Sequence, residues 1–148
     1  MWFLFVALLA QSANVVEDGS KALDAKQYDR AIELFTQAAA ADPRDYAAQF
    51  QLALTYSLLG RDADAIPHYK ATLGLKPGLY EAELNLGLSL LRTNDPVAAI
   101  PHFRAAVTEM TRRTGIERLV LQSTEAGYDL YRRMGFRDAT RFSVYLTK

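Results

Sequence analysis

The sequence predicts a mainly α fold: a solenoid of three helical hairpins with a small C-terminal β-α-β segment. Three observations carry that expectation. A 34-residue period aligns Ala31-Ile32, Ala65-Ile66 and Ala99-Ile100, and each pair is followed by an aromatic three residues on, Phe35, Tyr69 and Phe103. Turn chemistry recurs with it: Gly60 and Asn94 fall where a first helix must stop, and Pro43 and Pro77 close the first two copies. From Thr111 onward the helical period fails and β-prone residues take over.

A chain of 148 residues fits one compact domain or a short array. Its charges balance overall but not locally. Residues 1–111 hold 9 Lys/Arg against 13 Asp/Glu, a net of −4, and residues 112–148 hold 8 against 4, a net of +4. The asymmetry points to two modules joined near 112. Without net positive charge or a basic stripe, the chain is not expected to bind nucleic acid. It has no cysteine, so disulfides are excluded.

Residues 1–13 read as an apolar leader. Trp2 to Ala10 is unbroken apolar sequence, and the small residues Ala10, Ser12 and Ala13 offer cleavage points. The length suits the centre of a secretory signal peptide and falls short of the roughly 20 residues that span a bilayer. The usual positive charge before the run is missing. The alternative is an extension of the first helix lying against the array. A signal peptide would place the protein outside the cytoplasm, periplasmic or secreted, in a bacterial setting. Without one it would be cytoplasmic.

The array itself is expected over 14–111, with copies at 12–45, 46–79 and 80–113. In copy one, Asp18, Gly19 and Ala22 face Ala31, Phe35 and Ala38. In copy two, Leu52, Ala53 and Tyr56 face Ala65, Tyr69 and Thr72, and in copy three Leu86, Gly87 and Leu90 face Ala99, Phe103 and Ala106. Small residues let paired helices approach and large ones fill the gap. Asp95-Pro96 reads as an N-cap with proline at the first helical position. Pro67 and Pro101 fall inside the second helices, near their starts. There a missing N–H costs less than the ~3 kcal/mol of a mid-helix proline and a small bend is expected.

These residues resemble the tetratricopeptide repeat family: a bulky residue, Leu-Gly and Tyr in the first helix, then Ala, an aromatic and Ala in the second, then Pro. Copy one departs at Asp18 and Ala22, copy two at Thr72, and copy three has Thr111 for the closing proline. The resemblance implies a protein- or peptide-binding scaffold whose first helices line a concave face. The family's ligand positions fall on Val16, Ser20 and Leu23, on Phe50, Leu54 and Ser57, and on Leu84, Leu88 and Leu91. Members that grip a terminal carboxylate use Lys, Arg and Asn there. Only Asn85 and Arg92 could contribute here, so that specialised role is not expected. The groove is mainly apolar, with Asp24, Glu81 and Arg92 at its margins. It should take a peptide or helix through aliphatic anchors, unless residues 1–13 or the C-terminal segment fill it.

Residues 112–148 read differently. Strands are expected over 117–124 and 137–147, with a helix over 126–134 ended by Gly135. So small a unit must pack on the third repeat as a cap or pair with another chain, giving self-association through its strands. The stretch from Leu121 to Phe136 resembles the tail of a GNAT-type N-acetyltransferase, whose helix ends in Leu-Tyr-x-x-x-Gly-Phe. That resemblance implies a general-acid role for Tyr131 at a departing thiolate. The glycine-bearing loop that would hold the acyl-CoA pyrophosphate is missing near Ala99–Arg104, so Tyr131 is expected to be a packing residue. An acetyltransferase-related protein with residual acyl-CoA binding is the alternative function, and a fusion that merely folds is the third.

His68 and His102 occupy equivalent positions, but no third ligand repeats beside them and ~8–10 Å separates stacked helices. No metal site, cofactor or catalytic residue is expected. The leading expectation is a non-enzymatic binding scaffold that does not span the membrane.

Overall fold

The structure, a computed structural model, describes residues 15–115 together with 132, 133 and 135. Six helices run in chain order: α1 over 15–24, α2 Tyr28–Ala41, α3 Tyr46–Leu58, α4 Asp62–Leu75, α5 Tyr80–Arg92 and α6 Pro96–Thr114. Helices α2 to α6 each pack against their chain neighbours, α3 also touches α5, and Gly19 and Ala22 of α1 pack on α2. Equivalent helices start 34 residues apart (Tyr46 and Tyr80, Asp62 and Pro96), as the period requires.

Helix starts and stops follow local chemistry. Asp45 caps α3 by accepting from the Ala47 and Ala48 amides at 2.8 and 3.2 Å, and Asp95 caps α6 from the Ala98 amide at 3.1 Å. The turn after each first helix needs one left-handed residue, supplied by Lys26 (φ 58°), Gly60 (φ 70°) and Asn94 (φ 63°). Only glycine enters that region without a Cβ penalty. Helices α4 and α6 continue through Pro67 and Pro101, each the sixth residue of its helix.

The expected facing stripes form the core except at Asp18, which is exposed and pairs with Lys21 on the surface of α1. Ala31, Phe35, Ala53, Ala65, Tyr69, Leu86 and Ala99 are fully buried, and Thr72 with them. One cluster joins Leu52 of α3 to Ala22, Ala31, Leu34 and Phe35. A larger one runs from Ala53 and Tyr69 through Ala82, Leu86 and Leu90 to Ala99 and Phe103. Gly19 and Gly87 lie under the rings of Phe35 and Phe103. The second helix of the first and third hairpins therefore seats its aromatic where the first helix has no side chain, and the middle hairpin has Ala53 at that position.

The fold class needs one correction. Every element among the described residues is helical, with no strand, so the chain is all-α there and the small C-terminal β-α-β segment is not observed. The helical period does not stop at Thr111: α6 runs on to Thr114 and ends at Gly115 (φ 68°). Apolar spacing missed this turn because polar pairs hold it. Arg112 donates to Glu109 at 2.8 and 2.6 Å and Arg113 at 2.9 Å, contacts at i+3 and i+4 that support a helix surface. Together they hold the Glu109 carboxyl down at about 2. The spans expected as strands, 117–124 and 137–147, and the leader 1–13 lie outside the described residues. Self-association through such strands has no described strand to rest on.

Candidate functional site

The first helices α1, α3 and α5 carry the expected ligand positions. Val16 is half-buried against the copy-one clusters, and Phe50 meets the Tyr69 ring edge-on at 5.9 Å. Both are anchored in the interior. Leu54 and Leu88 are half-buried, while Leu84 and Leu91 are 40% and 39% exposed. Leu84, Leu88 and Leu91 sit at i, i+4 and i+7 of α5, so they make a stripe about 10 Å long at 1.5 Å per residue. With Leu54 on the touching helix α3, they form an open apolar strip.

Two of the polar groups expected beside it, Asn85 and Arg92, are engaged within the chain, whereas Glu81 keeps one buried carboxylate oxygen without a hydrogen-bond partner. Asn85 donates its amide N–H to the Glu81 carbonyl at 2.8 Å. Arg92 makes a bidentate pair with Asp62, Nε to Oδ2 at 2.7 Å and Nη2 to Oδ1 at 2.6 Å. The Asp62 side chain is 7% exposed and that of Arg92 49%. The strip therefore offers hydrocarbon and little charge. Tyr131, the candidate acid, lies outside the described residues. A separate cleft of about 420 Å³ at the α1–α2 turn, bounded by Lys26, Asp29, Arg30 and Leu59, shares no residue with the strip.

Sequence reasoning placed Arg92 at a groove margin and missed that it meets Asp62. The sign was available: both depart from their repeat, Asp62 standing where copies one and three have Tyr28 and Pro96, and Arg92 where copy two has Leu58. A second buried link sits beside them. Tyr69 donates to Ser57 Oγ at 3.2 Å, and Ser57 and Ser89 hydroxyls lie 3.3 Å apart. Burial pushes the Tyr69 phenol up.

The hydrogen bond from Arg92 holds the Asp62 carboxyl below its ordinary value, against the opposing effect of burial. A carboxyl lowered by folding adds stability that is complete above the unfolded value of about 3.9 and is lost as pH falls through the folded one. Asp62→Asn should therefore cost about 1–2 kcal/mol at neutral pH, with the difference from the parent shrinking as the solution is acidified below about pH 4. Urea denaturation across pH measures it. A constant difference would remove the ion pair from the account.

The two histidines are also accounted for. His68 Nδ1 lies 2.8 Å from Gln49 Oε1, and His102 Nδ1 lies 2.7 Å from Glu83 Oε2. These are the same first-to-second-helix contact, one period apart. His68 also stacks on Tyr56 at 5.8 Å, and burial lowers its pKa. Among the described residues no three His, Asp or Glu side chains converge as a metal site, and no helix is long and apolar enough to cross a membrane.

Residues 19–80 match the tetratricopeptide repeat family. Solved structures with the same architecture extend the likeness over most of the chain. A MamA mutant is 26% identical, with a TM-score of 0.63, covering 67% of this chain and 72% of that one. Another MamA structure is 23% identical, TM-score 0.66, over 71% of this chain and 61% of that one. The first tetratricopeptide repeat domain of Spaghetti (RPAP3), bound to an HSP90 peptide SRMEEVD, is 18% identical with a TM-score of 0.67, over 84% and 90% of the two chains. No curated protein sequence matches the chain. The acetyltransferase resemblance of 112–148 gains no support from these comparisons.

Proposed function

We propose that this tetratricopeptide repeat scaffold binds a protein partner through a peptide segment with aliphatic anchors, docked on the face of α3 and α5. The observation that carries it is the strip of Leu54, Leu84, Leu88 and Leu91. Two of these leucines are about two-fifths exposed. Spacing of i, i+4 and i+7 favours an amphipathic helix laid along α5, since such a helix presents its own apolar residues at the same rise. The repeat match and the peptide-bound structure of a similar fold support this use of the scaffold. An acidic peptide terminus fits poorly, because Arg92 is held by Asp62 and Asn85 by its own helix.

The role is binding rather than catalysis, and no cofactor is assigned. The cellular setting follows the leader: extracytoplasmic where residues 1–13 are removed as a signal peptide, cytoplasmic where they stay. Mass spectrometry of the native protein decides between them.

The test uses a dansyl-labelled amphipathic helical peptide with leucines at every third and fourth position. Leu54→Glu with Leu88→Glu should abolish its binding while helical circular dichroism stays unchanged, since a buried unpaired carboxylate in the contact costs several kcal/mol. Equal binding by the doubly substituted and parent chains would remove the site from this face.

A further inference from the structure

Three charged side chains stand at the margins of the leucine strip: Asp24, Glu81 and Arg92. The cation is cancelled. Arg92 donates through Nε and Nη2 to the Asp62 carboxylate, so the carboxyl end of α5 carries a compact pair without net charge. Neither acid is answered in that way. Asp24 is exposed and stands where copy two has Leu58 and copy three Arg92. Glu81 lies about one helical turn before Leu84 on α5. Arg113 Nη1 is 3.9 Å from Glu81 Oε1, too far for a hydrogen bond. The same guanidinium donates to Glu109 at 2.9 Å and lies over the Tyr80 ring at 5.3 Å. Glu81 Oε2 is buried with no partner at all. A carboxylate oxygen held from water without a donor is costly. Since the Glu81 side chain is 39% exposed, its carboxylate can turn to meet a donor brought from outside.

We infer that the partner segment is cationic: an amphipathic helix whose aliphatic anchors lie on Leu54, Leu84, Leu88 and Leu91, and whose Lys or Arg, one turn beyond the anchor at Leu84, pairs with Glu81. This rests on the groove reading above and adds the charge of the ligand to it. Docked anchors exclude water beside Glu81, so the pair forms in a lower dielectric than an open surface gives. Asp24 adds attraction for a cation at the other side of the face. Residues 15–115 as a whole lean the same way, with 11 Lys/Arg against 13 Asp/Glu. That diffuse part guides approach and fades with salt.

Two dansyl-labelled helical peptides with identical leucines measure the effect, one with Lys at the turns flanking the anchors and one with Gln there. Fluorescence titration of the full-length chain at low salt should show about fivefold tighter binding of the Lys peptide. Glu81→Gln should erase that preference with circular dichroism unchanged, and Glu81→Lys should turn it toward a Glu-flanked peptide. Glu33→Gln, which removes an exposed carboxylate paired with Arg30 on α2, should leave it intact. Equal binding of the Lys and Gln peptides to the parent overturns the inference and leaves the groove standing. A preference that survives Glu81→Gln, or that Glu33→Gln removes as well, also overturns it, because the attraction is then diffuse. Peptide affinity that falls as the chain is concentrated would give the strip to a second copy instead. If neither peptide binds the parent, the groove reading itself fails and takes the inference with it.

Discussion

Tyr69→Ala should lower the stability of the array by about 4 kcal/mol, the range for removing a fully buried aromatic ring. Tyr69 has no exposed surface and stands in the cluster that joins α3 and α4 to α5 and α6. Its ring meets Phe50 edge-on, and its hydroxyl donates to Ser57. Ala53, Ala65 and Ala82 of the same cluster are too small to fill the space left. A domain of about 100 residues has some 5–15 kcal/mol in all, so the melting temperature should fall by about 15–30 °C. Tyr69→Phe keeps the ring and loses one hydrogen bond, about 1 kcal/mol. Thermal denaturation followed by circular dichroism compares the pair. Similar losses in the two variants would show that the hydroxyl, not the ring, joins the repeats.

Gly87→Val should cost about 2–3 kcal/mol by the opposite mechanism, overfilling. A Cβ at Gly87 would lie 2.7 Å from Phe103 Cε1 and 2.8 Å from Cδ1, and valine adds two methyls beyond it. Phe103 is 8% exposed and boxed in by the same cluster, so its ring has little room to retreat. The gain from replacing a helical glycine is too small to offset this, since valine is itself a middling helix former. Phe103→Leu should rescue the variant: the double substitution should be more stable than the sum of the single losses predicts, a coupling the mutant cycle reads directly. Strictly additive losses would mean that the two residues do not press on each other.

The hairpins were legible because a repeat states its packing three times. Small residues at 19, 53 and 87 against aromatics at 35, 69 and 103 allow one close approach, and Gly60 and Asn94 mark the turns by conformation alone. Where the structure departs from expectation, the cause is polar. The last turn of α6 is built from Glu109, Arg112 and Arg113, residues that apolar periodicity ignores. Asp62 and Arg92 are 30 residues apart and neither recurs, so reading the copies against one another averaged them away. The strip followed the same division. Its leucines were visible as positions on a face, whereas the engagement of Arg92 and Asn85, which sets what the face can bind, needed coordinates.

The interfaces between successive hairpins are unequal. Copies two and three share the Asp62–Arg92 pair and the Ser57–Ser89 contact. Among the described residues no side-chain hydrogen bond joins α1 or α2 to α3 or α4, where apolar clusters make most of the seam. The corner of the first hairpin is also the one turned by a lysine in the left-handed region. Under load or dilute denaturant the ribbon would thus unzip from its amino end, shedding one hairpin while the other two stay clasped.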